Sequence, residues 1–326
     1  MSHQVLCLRP QSDFARVDTL PPSTFAVTYR APSDLDVPAL IKTSHALVIP
    51  AVGPELPPEW FNGSALRLVQ VTGAGVDRLD QAALTRHNIS VANVAGGSNS
   101  AVAEYAVTTA SLLLRRFGWA DAEIKDGSYA KFRARMLADN LAGLEGLLVG
   151  IIGFGTIGRA VAEAFHRFGC QLCYFDPAPV DRKLAEALNA QSASLDDLLA
   201  SADIVSLHVP LLASTQNLIG NRELAKMKHG AVLIQASRGG IVDEAALAAH
   251  LNSGHLGGAA VDVCSTEPPP ADHPLLALTG DAARRLLLTP HIAGVTRQAY
   301  ALLFRSAWEN VARVLIDNAP PLNRVY

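Results

Sequence analysis

Short apolar runs alternate with longer amphipathic or polar stretches along most of the 326-residue chain. In the first third the runs fall at Val5–Leu8, Phe25–Tyr29, Ala46–Ile49, Leu66–Val71 and Ile89–Val94. Runs this short, rich in Val, Ile and Leu and bounded by turn residues, read as strands. Strands separated by helical stretches predict a parallel sheet covered by helices on both faces. A long apolar helix is expected from about Ala101 to Arg116. The polar stretch after it, with Gly127 and several basic residues, reads as a connector. A second, more regular series then begins, with runs at Leu147–Ile152, Leu172–Phe175, Ile204–His208, Val232–Gln235, Ala259–Val263 and Leu286–Thr289. Six strands is the count of a full dinucleotide-binding sheet. A helix from about Thr296 to Ile316 and a proline-broken tail close the chain. The fold class is therefore α/β, with one unit ending near residue 99 and a larger one after it.

Composition narrows the function classes. Hydrophobic residues make up 49% of the chain and charged residues 17%, which suits a large buried core and argues against disorder. A net charge of −3 offers no bulk attraction for nucleic acid or an anionic membrane. The N-terminus lacks a basic start followed by a long apolar run, and no stretch is long enough to span a bilayer. A cytoplasmic protein is expected. Of the four cysteines, Cys170 and Cys173 form a C-x-x-C, but no second pair sits at zinc spacing. They read as small apolar residues of a core strand, with neither disulfide nor metal expected.

Residues 147–176 carry the clearest chemical signal. An apolar strand runs into Gly153-x-Gly155-x-x-Gly158, and a helix follows at once. The first glycine allows the tight turn, the second lets backbone approach a pyrophosphate, and the third lets helix and strand pack closely. The helix N-terminus offers amides and a partial positive charge to phosphate. Gly169 reads as the helix stop, and the next strand ends in Asp176, eighteen residues after Gly158. An acid near that spacing accepts from ribose hydroxyls and repels a 2′-phosphate. NAD is therefore expected, with NADP less favoured.

Three polar residues follow later strands: Arg238 after Val232–Gln235, Glu267 after Ala259–Val263, and His291 after Leu286–Thr289. Taken singly, each also fits a bland role, as a surface arginine, an exposed loop acid and a turn histidine. Taken together, they face one crevice, because the C-terminal ends of strands in an open parallel sheet form the ligand edge. An arginine fork can hold a carboxylate and polarise a neighbouring carbonyl. A histidine can pass a proton to or from the oxygen, and a carboxylate beside it fixes its tautomer. Asp262 lies within reach of the nicotinamide side. His208, also at a strand end, reads as structural or cofactor-adjacent.

With these motifs in hand, the chain resembles the D-isomer-specific 2-hydroxyacid dehydrogenase family. The likeness runs through TGAGVDRLD (72–80), VAEYAV (102–107), GFGTIG (153–158), Asp176, LHVPL (207–211), ASRGGIVDEAAL (236–247), AAVDVCSTEPP (259–269) and TPHIAG (289–294). The resemblance implies a dinucleotide-binding Rossmann domain, 100–293, inserted into a discontinuous flavodoxin-like substrate domain, 1–99 with 294–326. It implies hydride transfer between NAD(H) and C2 of a small 2-hydroxy or 2-oxo acid. Arg238 would bind the substrate carboxylate and carbonyl, His291 would be the acid/base, and Glu267 its partner. Thr156 and Ile157, with Gly153, Gly155 and Gly158, would meet the pyrophosphate, and Asp176 the ribose. Val209 and Pro210 would line the adenine side, Asp262 the carboxamide, and Ala236, Ser237, His291 and Gly294 the rest of the cofactor. The amides of Gly73, Ala74, Gly75 and Val76 would meet the substrate carboxylate. A homodimer through the dinucleotide domain is implied. An NADH-sensing interaction module like the C-terminal-binding-protein corepressors is the alternative.

Two departures stand out. Arg78 occupies a place where the family commonly has asparagine, either adding a cation near the substrate loop or, the preferred expectation, pointing to solvent. Many members also carry an arginine after the third strand, where this chain has Val48-Ile49-Pro50-Ala51.

Overall fold

The protein is described by a computed structural model covering residues 2–326. It divides into a unit of residues up to Ser98 together with Val295–Tyr326, and a unit of Asn99–Gly294. The first unit begins with β1 (His3–Cys7), α1 (Gln11–Ala15), β2 (Phe25–Tyr29), α2 (Val37–Thr43) and β3 (Ala46–Ile49). A 3-10 turn at Pro58–Phe61 leads to β4 (Leu68–Val71), α3 (Gln81–Arg86) and β5 (Ser90–Ala92). All pairs are parallel, in the order β2-β1-β3-β4-β5. Period-two alternation sorts the strand residues onto two cores. Val5 and Cys7 face Phe14, Phe304 and Trp308, whereas Leu6 and Leu8 face Ile41, Phe61 and Leu84.

The second unit holds α4 (Asn99–Leu114), α5 (Phe117–Lys125), α6 (Tyr129–Ala138), β6 (Leu148–Ile152), α7 (Thr156–Arg167), β7 (Gln171–Phe175), α8 (Arg182–Ala187), β8 (Gln191–Ser192), α9 (Leu195–Ser201) and β9 (Ile204–Leu207). It continues with α10 (Asn221–Lys226), β10 (Val232–Gln235), α11 (Glu244–Asn252), β11 (Gly258–Val261), α12 (Gly280–Arg284) and β12 (Leu286–Leu288). The sheet is parallel in the order β12-β11-β10-β9-β6-β7-β8. The order reverses between β6 and β9, and ligands of such sheets bind beyond the strand ends at that point.

The chain then returns to the first unit through α13 (Arg297–Leu315), capped by Thr296, whose Oγ accepts from the Ala299 amide at 3.1 Å. Asn310, buried on α13, donates to the side chain of buried Gln70 on β4 at 2.9 Å and to the Leu322 carbonyl at 2.9 Å. The tail then pairs with the β5 edge, Val325 donating to the Val91 carbonyl at 2.8 Å and Val91 to Tyr326 at 3.0 Å.

Two expectations about this architecture need correction. The second sheet has seven strands rather than six. The extra strand, β8, is two exposed polar residues, Gln191 and Ser192, so no apolar run announces it. The polar stretch after α4 is two helices rather than a connector. Buried Trp119 gathers the guanidinium groups of Arg135, Arg116 and Arg284 at 4.4, 5.2 and 5.4 Å from its ring centre. Those arginines pair in turn with Asp281, Asp139 and Glu123. Of the basic residues in that stretch, Arg135 is one of the clamps of a small aromatic core.

Candidate functional site

The cofactor loop lies at the switch point. Gly153 has φ +90°, and a Cβ there would lie 2.5 Å from the His208 carbonyl oxygen on the loop after β9. A Cβ on Gly158 would lie 1.9 Å from the Gly153 carbonyl, so the first turn of α7 packs directly on the loop. A Cβ on Gly155 would meet nothing within 4 Å. The protein's own packing requires glycine at 153 and 158 but not at 155, where the bare backbone faces open space beside Thr156, also exposed. That is the surface a pyrophosphate needs, at the N-terminus of a twelve-residue helix.

Asp176 follows β7 and turns back onto this loop. Its Oδ2 accepts from the Phe154 amide at 2.7 Å and its Oδ1 from the Ala178 amide at 2.9 Å. A carboxylate has roughly four acceptor positions, so two remain for ribose hydroxyls. Val209 is buried and Pro210 exposed on the loop after β9. His208 bonds Ser206 Oγ through Nε2 at 2.8 Å, while its Nδ1 is buried with no partner. Burial pushes its pKa down to about 3, so the ring stays neutral.

Asp262 organises the β12 end. Its backbone carbonyl accepts from the His291 amide at 2.8 Å. Its Oδ1 accepts from Thr289 Oγ at 2.6 Å and the Ile292 amide at 2.8 Å, and its Oδ2 from the Ala293 amide at 2.8 Å. Because Thr289 spends its only hydroxyl proton on Asp262, Tyr105 Oη, 2.8 Å away, must be the donor to Thr289. Burial raises the Tyr105 pKa to about 12, which keeps that proton in place. One acceptor position of Oδ2 is left over, fitting the amide of a nicotinamide carboxamide. Tyr105 and Thr289 were missed in the sequence reasoning, although EYAV and TPH carried them.

The Asp262 network holds His291 in the left-handed region, at φ +55°, a conformation in which histidine is one of the more tolerated residues. There its Nδ1 lies 2.8 Å from Glu267 Oε2, while Glu267 Oε1 accepts from the Cys264 amide at 3.1 Å. With Nδ1 engaged, Nε2 is the remaining ring nitrogen. The Glu267 loop is braced from behind: Glu244 accepts from the Ser265 amide at 2.6 Å, from Ser265 Oγ at 2.7 Å, and bonds buried His273 at 2.9 Å. Cys264 Sγ stands within 4.8 Å of the Glu244 and His273 ligand atoms. Those atoms are already bonded to protein donors, so the group reads as a brace rather than a metal centre.

Arg238 follows β10 on a loop shaped by buried Gln235. Gln235 Nε2 donates to the Arg238 carbonyl at 2.9 Å, and Gln235 Oε1 accepts from Ser237 Oγ at 2.7 Å. Arg238 Nη1 donates to the Ser237 carbonyl at 2.8 Å. Ala236 and Ser237 lie on the same strand end and Gly294 just beyond the His291 turn, so the structure brings the second unit's candidates to one sheet edge.

In the first unit, the Gly73–Val76 loop follows β4. Val94 donates to the Gly73 carbonyl at 2.9 Å, and Asn93 Nδ2 to the Ala74 carbonyl at 2.7 Å. The amides of Gly73, Ala74, Gly75 and Val76 donate to no acceptor among the described residues. Arg78 corrects the solvent expectation. It is 4% exposed, drawn inward by three backbone carbonyls.

A seven-stranded Rossmann sheet with this loop defines a dinucleotide-binding protein. Residues 107–293 match the model of the D-isomer specific 2-hydroxyacid dehydrogenase family, NAD binding domain, and the chain belongs to that family. NAD is its cofactor. A D-3-phosphoglycerate dehydrogenase of Archaeoglobus fulgidus is 36% identical over 72% of this chain and 42% of its own length, so the match spans under half of that relative. An (S)-sulfolactate dehydrogenase of Chromohalobacter salexigens is 38% identical over 77% of this chain and 78% of its own. Among solved structures, the NAD-dependent formate dehydrogenase of Staphylococcus aureus in complex with NAD superposes with TM-score 0.81 at 26% identity, covering 99% of this chain and 98% of that one. Among the described residues, no helix is long and apolar enough to cross a membrane.

Proposed function

We infer that the protein is a D-2-hydroxyacid dehydrogenase, interconverting a small 2-hydroxy acid and its 2-oxo acid. The observation that carries this is the 2.8 Å contact between His291 Nδ1 and Glu267 Oε2 at the ligand edge of a dinucleotide-binding sheet. Bound NAD(H) supplies or accepts the hydride at C2. Arg238 holds the substrate carboxylate and draws electron density from the C2 carbonyl, which makes that carbon electrophilic. His291 enters reduction as the imidazolium and gives its Nε2 proton to the C2 oxygen. In oxidation, neutral His291 takes that proton back. Glu267 accepts from Nδ1–H in both directions, which fixes the tautomer and the ring orientation. The Gly73–Val76 amides meet the substrate carboxylate, and Asp262 holds the carboxamide.

The corepressor alternative has less behind it, because the relatives named above are dehydrogenases. A cytoplasmic homodimer joined through the dinucleotide unit belongs to the same proposal, and light scattering tests the dimer. Activity is tested by following NADH and NADPH oxidation against glyoxylate, hydroxypyruvate, pyruvate and bulkier 2-oxo acids. Turnover of at least one acid with NADH is expected. Tight NADH binding without turnover on any of them would favour the interaction module.

A further inference from the structure

Arg78 is the one arginine in the buried class among the described residues. Its Nε donates to the Pro54 carbonyl at 2.9 Å, and its Nη1 to Pro50 at 3.1 Å and Val52 at 2.9 Å. Its Nη2 is buried and has no acceptor. No carboxylate is among its partners. The backbone crosses the guanidinium at Gly53, φ +123°, where a Cβ would stand 3.1 Å from Nη1 and 3.4 Å from Nη2. The same segment supports the substrate loop, since a Cβ on Gly73 would lie 2.7 Å from that of Ala51. Segment 50–54 is thus packed against both the Arg78 guanidinium and the loop whose amides lack acceptors. All of this lies beyond the C-terminal ends of β3 and β4, the ligand edge of a parallel sheet.

A brace to three carbonyls needs donors, but it does not need a charge. Taking a full cation out of water without a counterion is costly, and a neutral side chain would avoid that cost. An unneutralised charge with one amino group unpaired, packed on the same 50–54 segment as a loop with four unpaired amides, has the polarity of an anion site. The cation absent from the Val48–Ala51 segment of the sequence is returned to its neighbourhood from position 78.

We propose that Arg78 is the charged base of an anion subsite formed with the Gly73–Val76 amides, and that this subsite takes a carboxylate oxygen of the acid substrate. This rests on the dehydrogenase reading above. Arg78 is then a specificity-determining residue whose effect falls on KM and not on kcat.

The test compares Arg78→Lys and Arg78→Gln with the wild type, using the best 2-oxo acid of the panel at saturating NADH. Arg78→Gln should raise KM roughly ten- to a hundredfold, the usual worth of a hydrogen bond to a charged group, with kcat and NADH affinity held. Arg78→Lys should restore most of the affinity. Equal KM in wild type and Arg78→Gln, or equal losses in Gln and Lys, overturns the subsite. If Arg78→Gln does not fold, the Arg78 Nε–H resonance of the wild type is followed on saturation with oxamate, a non-reducible 2-oxo acid mimic, in the presence of NADH. A shift is expected, and an unmoved resonance overturns the subsite. A wild type that reduces no 2-oxo acid removes the underlying function, whereas turnover with an insensitive KM removes the subsite alone.

Discussion

The α-carbon of Gly239 packs against the carbonyl of Cys264 so tightly that a Cβ on it would stand 1.9 Å from that oxygen. The loop carrying Arg238 and the loop carrying Glu267 are therefore seated on one another. Gly239→Ala must push them apart. We expect kcat to fall about a hundredfold, the order reached by an ångström of misplacement, with NADH affinity little changed. Wild-type turnover in the variant, measured by NADH oxidation, would show that this seating does not set the geometry.

Asp262 has three donors on its buried carboxylate. In Asp262→Asn one oxygen becomes an NH2 group facing a donor. The expected loss is about 2–4 kcal/mol, seen as a lowered melting temperature, together with a fall in kcat because the His291 turn hangs from this residue. Calorimetry and steady-state kinetics check both. Tyr105→Phe, which removes only the outer donor, should cost about 1 kcal/mol.

His208 makes stability fall at low pH. Its folded pKa, about 3, lies below the ordinary 6.5. Between those values the unfolded chain binds the extra proton and is favoured. The penalty starts as pH drops through 6.5, grows downward and stops growing near pH 3. At pH 4.5 it amounts to about 3 kcal/mol. His208→Gln should flatten this dependence in urea unfolding at pH 7 and 4.5. An unchanged slope would place the acid sensitivity elsewhere.

Asp176→Ala should remove the acid that disfavours a 2′-phosphate and narrow the ratio of kcat/KM for NADH over NADPH by about tenfold or more. It should also lower stability, because the Phe154 and Ala178 amides lose their acceptor. A wild type that prefers NADPH would contradict the assignment of the ribose contact.

The strands were legible where burial on both faces wrote continuous apolar runs, as at Ala46–Ile49 and Val232–Gln235, all buried. The Gly153–Gly158 loop was legible because each glycine there answers a separate steric or ligand demand. β8 was hidden because its two residues face solvent. Helices α5 and α6 were hidden because their core is one aromatic pair, Trp119 and Phe132, with arginines wrapped around the tryptophan. The direction of Arg78 was not readable at all, since it depends on carbonyls more than twenty positions away in the chain. The residues around Asp262 were individually visible, but their joint hold on His291 exists only in three dimensions.

The decisive measurement is the single-turnover rate of 2-oxo acid reduction by His291→Ala, with NADH and substrate saturating, beside that of the wild type. If His291 is the proton donor, the rate should drop by roughly two to four orders of magnitude while NADH still binds with wild-type affinity. A variant that reduces the acid at the wild-type rate would contradict the pairing of His291 with Glu267 as the proton-transfer machinery.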